Sequence, residues 1–442
     1  MAEKVRVIVI GGGAAGMFAA IAAAEKLGPA GEVSVYEATA HPLAKVRVSG
    51  GGRCNVTHAC FEPRELVKFY PRGGRELLGA FHRWQPRDTV GWFARHGVET
   101  KTEADGRMFP VTDDSATIVD CLLRVARDTG VRLFTSLGVR KVERLAFRPS
   151  MSAGERGDAT PPPARTGFWV TLTDGAEVRC ERLIVATGGN RSSAGFTIAE
   201  ALGHTVEPLV PSLFTFHIDD ARLIGLSGVS LEEAAVSVPG TKLRAAGPLL
   251  VTHWGLSGPA ILKLSAWGAR ELAARNYEFS LAVNFAPPHT RESLVRELAG
   301  VREKNPRKQL TTWSPLPMPQ RLWERLVTAS GIAATTPWTA VGNAALNALA
   351  AQLTAAEFKV VGKSLFKDEF VTCGGVKLSE VDFRRMESRV CPGLHFAGEV
   401  LDIDGVTGGF NFQAAWTTGR IAGEAMEGGG NEAVRGGDTE RP

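Results

Sequence analysis

Disulfide and zinc frameworks are missing from this chain. Its six cysteines, Cys54, Cys60, Cys121, Cys180, Cys373 and Cys391, show neither C-x-x-C spacing nor a zinc-like pairing with histidines. In a chain of 442 residues that pattern predicts free thiols in a reducing compartment and no metal centre. A dominant charge is missing too: 51 basic residues against 47 acidic ones leave +4, too little to imply a polyanionic partner. No segment is long and apolar enough to span a bilayer. Val7–Ala24 is an uncharged run of 18 residues behind Lys4 and Arg6, superficially like a signal peptide. It contains Gly11, Gly12, Gly13 and Gly16, and the next strand completes a nucleotide-binding pattern, which excludes a targeting role. The expectation is a cytoplasmic protein without a membrane partner.

What is abundant is glycine, 50 residues clustered in short turns and not in a repeat. VRVIVI at Val5–Ile10 predicts a buried strand, Ala14–Lys26 a helix, and EVSVYE at Glu32–Glu37 the next strand. That is a strand–helix–strand unit of the doubly wound type. Residues 63–97 read as helical. Strands near Val139–Phe147 and Phe168–Thr173 flank a polar, proline-rich tip, which predicts a mobile hairpin excursion. Val178–Ala186 leads into Thr187-Gly188-Gly189. After Arg191 short strands and Gly/Pro turns run to about Pro288, then helical segments to about Leu353. The glycine-rich character returns at Thr372-Cys373-Gly374-Gly375. The predicted division is a first cofactor-domain segment over 1–190, an insert over 191–358, a second cofactor-domain segment over 359–427, and a disordered tail over 428–442.

Gly11-x-Gly13-x-x-Gly16 sits between strand and helix, where its glycines permit a tight turn, approach of a pyrophosphate, and close helix–strand packing. The helix start adds unpaired N–H groups and a positive dipole end. Glu37, 21 residues beyond Gly16, is placed to bind both hydroxyls of an adenosine ribose. In Ser49-Gly50-Gly51-Gly52-Arg53-Cys54-Asn55 the glycines expose amides, Arg53 and Asn55 offer donors, and Cys54 is either redox-active or a packed thiol, the packed role being favoured. Near the end, LHFAGEVLDIDGVTGGFNFQAAW reads as a strand, Gly398-Glu399, an acidic loop with Asp402 and Asp404, a Gly408-Gly409 turn, and a helix from about Asn411.

These segments, with GRMFP at Gly106–Pro110, THWGLSGPAIL at Thr252–Leu262 and TCGGV at Thr372–Val376, resemble in order the BaiN/YhiN-like family of NAD(P)/FAD-dependent oxidoreductases, which includes aminoacetone oxidases and bile-acid reductases. The resemblance implies an α/β fold: a Rossmann-like, glutathione-reductase-like FAD domain interrupted by an inserted α+β domain with short strands and a helical part. It implies non-covalent FAD, its pyrophosphate on Gly11, Gly13, Ala14, Ala15 and Gly16 and its ribose on Glu37. Ser49, Gly50, Gly51, Arg53, Cys54 and Asn55 would pass near the ribityl chain and ring, with Thr187, Gly188, Gly398 and Glu399 beside the cofactor. Asp402 would hold a ribityl hydroxyl or a diphosphate-side water. Gly408, Gly409, Phe410 and Asn411 would present helix N-terminal amides to the pyrimidine edge of the ring, stabilising the charge of its reduced form.

His253 is the candidate acid–base group, against the commoner role of a structural histidine. Arg64–Arg95 interleaves basic and aromatic residues, but Glu65, Glu76 and Asp88 dilute the charge, which favours a solvated helical face over a nucleic-acid surface. The leading expectation is hydride transfer between flavin N5 and a small organic substrate or NAD(P)H. With one fingerprint in the chain, NAD(P)H would dock transiently as electron donor. The alternatives are a flavin-dependent tRNA- or nucleic-acid-modifying protein, a peroxide-producing oxidase of a small amine, and a flavin-binding sensor. Oligomeric state is not readable from the residues.

Overall fold

The computed structural model describes residues 4–147, 165–364 and 371–427. Most of the proline-rich tip and the whole tail from Gly428 lie outside the described residues. The chain forms two compact units, one from Met1–Pro208, Gly374–Ile403 and Gly408–Pro442, the other from Leu209–Cys373 and Asp404–Thr407.

The first unit is built on a seven-stranded sheet. Its parallel part runs Arg132–Phe134, Gly31–Tyr36, Val5–Ile10, Arg182–Val185 and Leu394–Phe396, and an antiparallel edge follows at Glu387–Ser388 and Val381–Asp382. Branched residues fill these strands because both faces are covered; Val7, Ile8, Val9, Leu183, Ile184 and Val185 are all buried. The first helix, Ala14–Leu27, is apolar almost all round. Phe18 on it meets Trp84, Trp92 and Trp416 edge-on at centroid distances of 5.6, 4.8 and 5.4 Å. Two of those tryptophans come from the basic–aromatic segment, which folds as helices Pro63–Leu66, Gly74–Arg83 and Pro86–Arg95. Its Phe81, Trp84 and Trp92 are buried while Arg64, Lys68, Arg75, Arg83, Arg87 and Arg95 are exposed, the arrangement of a solvated helical face.

Against the first helix lies the last, Phe410–Glu424. A Cβ at Gly419 would stand 2.5 Å from the Ala15 carbonyl oxygen, and one at Gly423 would stand 2.4 Å from that of Ala19. Only glycine allows so close a crossing. Both contacts have the same sequence offset, so the two helices run in the same direction.

The second unit is a closed six-stranded barrel of Thr215–Ile218, Gly255–Ser257, Arg244–Thr252, Ser230–Ser237, Phe279–Asn284 and Ala356–Ser364, with helices Arg291–Lys304, Gln320–Ala329 and Asn343–Thr354. The last strand closes it, pairing with both Phe279–Asn284 and Thr215–Ile218. A division placed at 358/359 falls inside that strand. At the other end, residues 191–208 stay with the first unit, where helix Ala194–Ala201 packs on strand Val139–Phe147.

Candidate cofactor site

Three neighbouring parallel strands end together: Ile10 is in register with Val185, and Val185 with Phe396. Their loops therefore emerge side by side as Gly11–Gly13, Thr187-Gly188 and Ala397-Gly398. The strand order departs in opposite directions from the first strand and its Arg182–Val185 neighbour, and doubly wound sheets bind ligands at such a switch point. Gly11 (φ +104°) has the Ala186 carbonyl oxygen 2.5 Å from where its Cβ would be, and at Gly16 the Gly11 oxygen would be 1.9 Å away. Gly13 is different. It caps the first helix without a side-chain bond, no acidic residue occupies the first turn, and its Cβ would meet nothing within 4 Å. The first intrahelical bond runs from Met17 N–H to Gly13 O, so the N–H groups of Ala14, Ala15 and Gly16 point out of the helix end.

Glu37 braces this turn. One carboxylate oxygen accepts from Gly12 N–H at 2.7 Å, and the other from Thr39 N–H and Oγ1 at 2.8 and 2.7 Å. On the flanks, Leu43 N–H donates to Gly12 O (2.9 Å) and a Cβ at Gly398 would stand 2.7 Å from that of Ala15. Gly398 N–H donates to Thr418 Oγ1 at 2.9 Å. Lys45, which sequence reasoning passed over, then reaches across to Glu399 at 2.6 Å. Glu399 Oε2 also lies 3.9 Å from the Cβ position of Gly188, while the Thr187 hydroxyl is buried with no hydrogen-bond partner among the described residues.

The second group gathers at the start of the last helix. Ala44–Gly52 begins as a helix and unwinds into a left-handed run with φ of +59°, +70° and +84° at Gly50, Gly51 and Gly52. Side chains other than glycine resist that conformation, and at Gly51 and Gly52 nothing stands within 4 Å of a Cβ. Beyond the run, Asn55 accepts from Gly409 N–H and donates to Thr57 O, each at 3.0 Å. Gly409 (φ +91°) is the N-cap of the last helix. Asn55 thus supports the turn from behind. Arg53 is engaged as well, pairing with Glu103 at 2.7 Å and Asp113 at 3.4 Å and lying over the Phe109 ring at 4.0 Å. Ser49 donates to Val46 O at 3.1 Å. Cys54 is fully buried, and burial pushes its thiol up to about 12. A protonated thiol without access is a poor nucleophile, which favours the packed role over the redox one.

The Phe410 side chain packs against Phe69 (4.3 Å, 10°) and His58 (4.7 Å, 23°), whose own rings lie 5.8 Å apart, and Tyr70 donates to its carbonyl at 2.6 Å. What this turn offers a ligand is therefore main-chain N–H, with Asn411 in the first helical turn. His58 and Gln413 carried no expectation from sequence, and Phe69 and Tyr70 only that of core aromatics in the Arg64–Arg95 segment. Gln413 is fully buried, accepts from Thr57 Oγ1 at 2.6 Å and donates to Thr417 Oγ1 at 3.0 Å; a buried polar run in one helix was the available signal. Asp402 accepts from Gly374 N–H at 3.0 Å. Asp404 belongs to the barrel unit, where it accepts from Ser212 at 2.6 Å. His253 is also in the barrel unit, at the exposed tip of a two-residue hairpin, its Nδ1 2.8 Å from Ser227 Oγ.

In the register set by Gly419 and Gly423, Phe410 stands eight residues ahead of Ala14, a stagger of about 12 Å at 1.5 Å per residue. Two parallel helices thus present positive dipole ends at two depths of one unit. The profile described as HI0933-like protein Rossmann domain matches residues 5–425. The chain belongs to the HI0933-like family. Its relatives include the ribosomal RNA dihydrouridine synthase of Escherichia coli, 33% identical over 94% of this chain and 96% of that one. The 3-dehydro-bile acid delta(4,6)-reductase of Clostridium scindens is 29% identical over 95% and 98%. Another ribosomal RNA dihydrouridine synthase, from Haemophilus influenzae, is 29% identical over 93% and 96%. The HI0933-like chain is thus a flavin-dependent oxidoreductase by family.

The donor set fits FAD. The uncapped first helix and open Gly13 suit a diphosphate, Glu37 keeps lone pairs for ribose hydroxyls, and the glycine run at 50–52 leaves room along the way. Among the described residues no group of three or more His, Cys, Asp or Glu gathers as a metal site, and no helix is long and apolar enough to cross a membrane.

Proposed function

We propose that this chain is an FAD-dependent reductase that saturates a carbon–carbon double bond conjugated to a carbonyl. The carrying observation is the staggered pair of helix N-termini, which gives one unit two separate places for negative charge. When bound, FAD supplies hydride at N5, the electron pair coming from NAD(P)H that docks transiently. The first helix holds the diphosphate through the N–H groups of Ala14–Gly16. Glu37 fixes the Gly12 turn and takes the ribose. The start of the last helix, steadied by Asn55, Tyr70 and the cluster of Phe69, Phe410 and His58, would hold the electron-rich edge of the ring, where its N–H groups and positive dipole end would favour the reduced form. Asp402 takes a ribityl hydroxyl or a diphosphate-side water.

Support for the bond type comes from the relatives' names. Making dihydrouridine saturates the C5–C6 bond beside the uracil C4 carbonyl, and a delta(4,6) compound with a 3-oxo group carries double bonds conjugated to that carbonyl. In each, hydride goes to a carbon of the polarised bond and a proton completes the neighbouring one. The candidate proton donor is His253, which site-directed replacement examines. Anaerobic addition of NADH and NADPH to the purified yellow protein, followed by uridine-containing RNA or an enone, tests the reading. Bleaching by one nucleotide and reoxidation by an unsaturated acceptor is expected. Protein that carries no flavin, or flavin reduced only by an amine with peroxide formed in air, overturns it.

A further inference from the structure

The barrel unit carries a surface that the cofactor site does not use. Lys304, Arg307 and Lys308 are exposed at the end of helix Arg291–Lys304 and in the loop after it, and among the described residues no carboxylate lies within ion-pair distance of any of them. The same stretch exposes an indole: Trp313 is 43% accessible, with the Lys308 ammonium 4.9 Å from its ring centroid. An exposed tryptophan beside three unneutralised cations is unlike the Arg64–Arg95 segment, where the tryptophans are buried, Lys68 pairs with Glu65 and Arg83 with Glu424. The platform is held in place from behind. Lys308 O accepts from Trp338 N–H at 2.9 Å, Pro306 O from Thr339 N–H at 3.2 Å, and Leu310 O from the Trp323 indole at 2.6 Å. Trp338 and Trp323 are fully buried, so the loop is anchored in the barrel core.

We propose that residues 303–313 are a docking surface for an unpaired stretch of RNA, Trp313 stacking on a base while Lys304, Arg307 and Lys308 take phosphates. Base–aromatic stacking beside a cationic track is how single strands are gripped, and the solvated ammonium of Lys308 next to the indole serves both contacts. The proposal rests on the reductase reading above and names its substrate class: a uridine presented in RNA and not a free small molecule.

Fluorescence anisotropy of a labelled uridine-rich single-stranded RNA, titrated with flavin-loaded protein over a range of salt, tests it. Lys304→Gln/Arg307→Gln/Lys308→Gln should weaken binding at least tenfold at low salt and flatten the log–log salt dependence by about 2, the loss of three phosphate contacts. Trp313→Ala should weaken binding roughly 5- to 100-fold without altering the slope, and Trp313→Phe should restore most of it. Flavin absorbance and melting temperature, unchanged in all variants, exclude misfolding. Wild-type protein that does not bind RNA at low salt, or variants that bind as well as wild type, overturns the proposal. If reduction by NAD(P)H persists in any of those cases, the reductase reading survives with a small-molecule substrate; if flavin is absent altogether, it is that reading which fails.

Discussion

Glu37 holds the tightest part of the site. Its two oxygens engage Gly12 N–H, Thr39 N–H and Thr39 Oγ1, so its removal should both loosen the fingerprint turn and take away the ribose ligand. Glu37→Ala is expected to lower the affinity of apoprotein for FAD roughly tenfold or more, the scale of a charged hydrogen bond. Quenching of flavin fluorescence measures it, and undiminished affinity removes Glu37 from the cofactor map. Cys54 should be silent. Buried and protonated, it is expected to resist iodoacetamide at pH 8 in the native protein and to react after unfolding, as peptide mass spectrometry reads directly. Native-state labelling would return it to the list of redox candidates.

At the scale of elements, the site depends on how closely two helices meet. Gly423→Leu would force a side chain against the Ala19 carbonyl and Ala22, an overpacking expected to cost about 1–3 kcal/mol and to lower flavin retention by shifting the start of the last helix. Thermal melting with flavin release checks both; a stable variant that keeps its flavin would show the register to be dispensable. The strand Leu394–Phe396 contributes a different sensitivity. His395 is fully buried, its Nδ1 3.0 Å from Arg385 O, and burial lowers its pKa from 6.5 to about 4, with Glu387 opposing and Arg182 and Arg385 adding to the shift. The folded state therefore refuses a proton that the unfolded chain accepts. Stability should be complete above pH 6.5 and fall as pH drops toward 4, by up to about 1.4 kcal/mol per unit. Urea denaturation from pH 7 to pH 4 should show a steeper loss for wild type than for His395→Gln; parallel curves would contradict the assignment.

For the whole molecule, cofactor binding inside the first unit predicts a divided response to heat. FAD at about 100 times its Kd should stabilise that unit by about 2.7 kcal/mol while the barrel's transition keeps its midpoint. Differential scanning calorimetry with and without FAD decides this, and equal shifts of both transitions would refute it. How much of this was legible in the sequence follows from the range of each contact. Val5–Gly16 is a strand, a turn and a helix start whose meaning is local, and Gly408-Gly409 before Phe410 reads the same way. Asn55 offered a donor to any reader, but the Gly409 N–H from which it accepts lies at the far end of the chain, and Arg53 finds Glu103 and Asp113 only once the strand Arg107–Pro110 is in place. The closing barrel strand Ala356–Ser364 was hidden because its partners, Phe279–Asn284 and Thr215–Ile218, are distant and exposed Val361 breaks its alternation. The pairing of the first helix with the last has one more consequence, for the order of synthesis. The alanine face of Ala14–Leu27 is made at the outset, yet its cover, with Gly419 and Gly423, is made only after the barrel. During translation the barrel can close while the cofactor unit stays open. A ribosome paused before the last helix therefore holds a chain with a finished barrel, an uncovered apolar helix and only the diphosphate end of the proposed cofactor site.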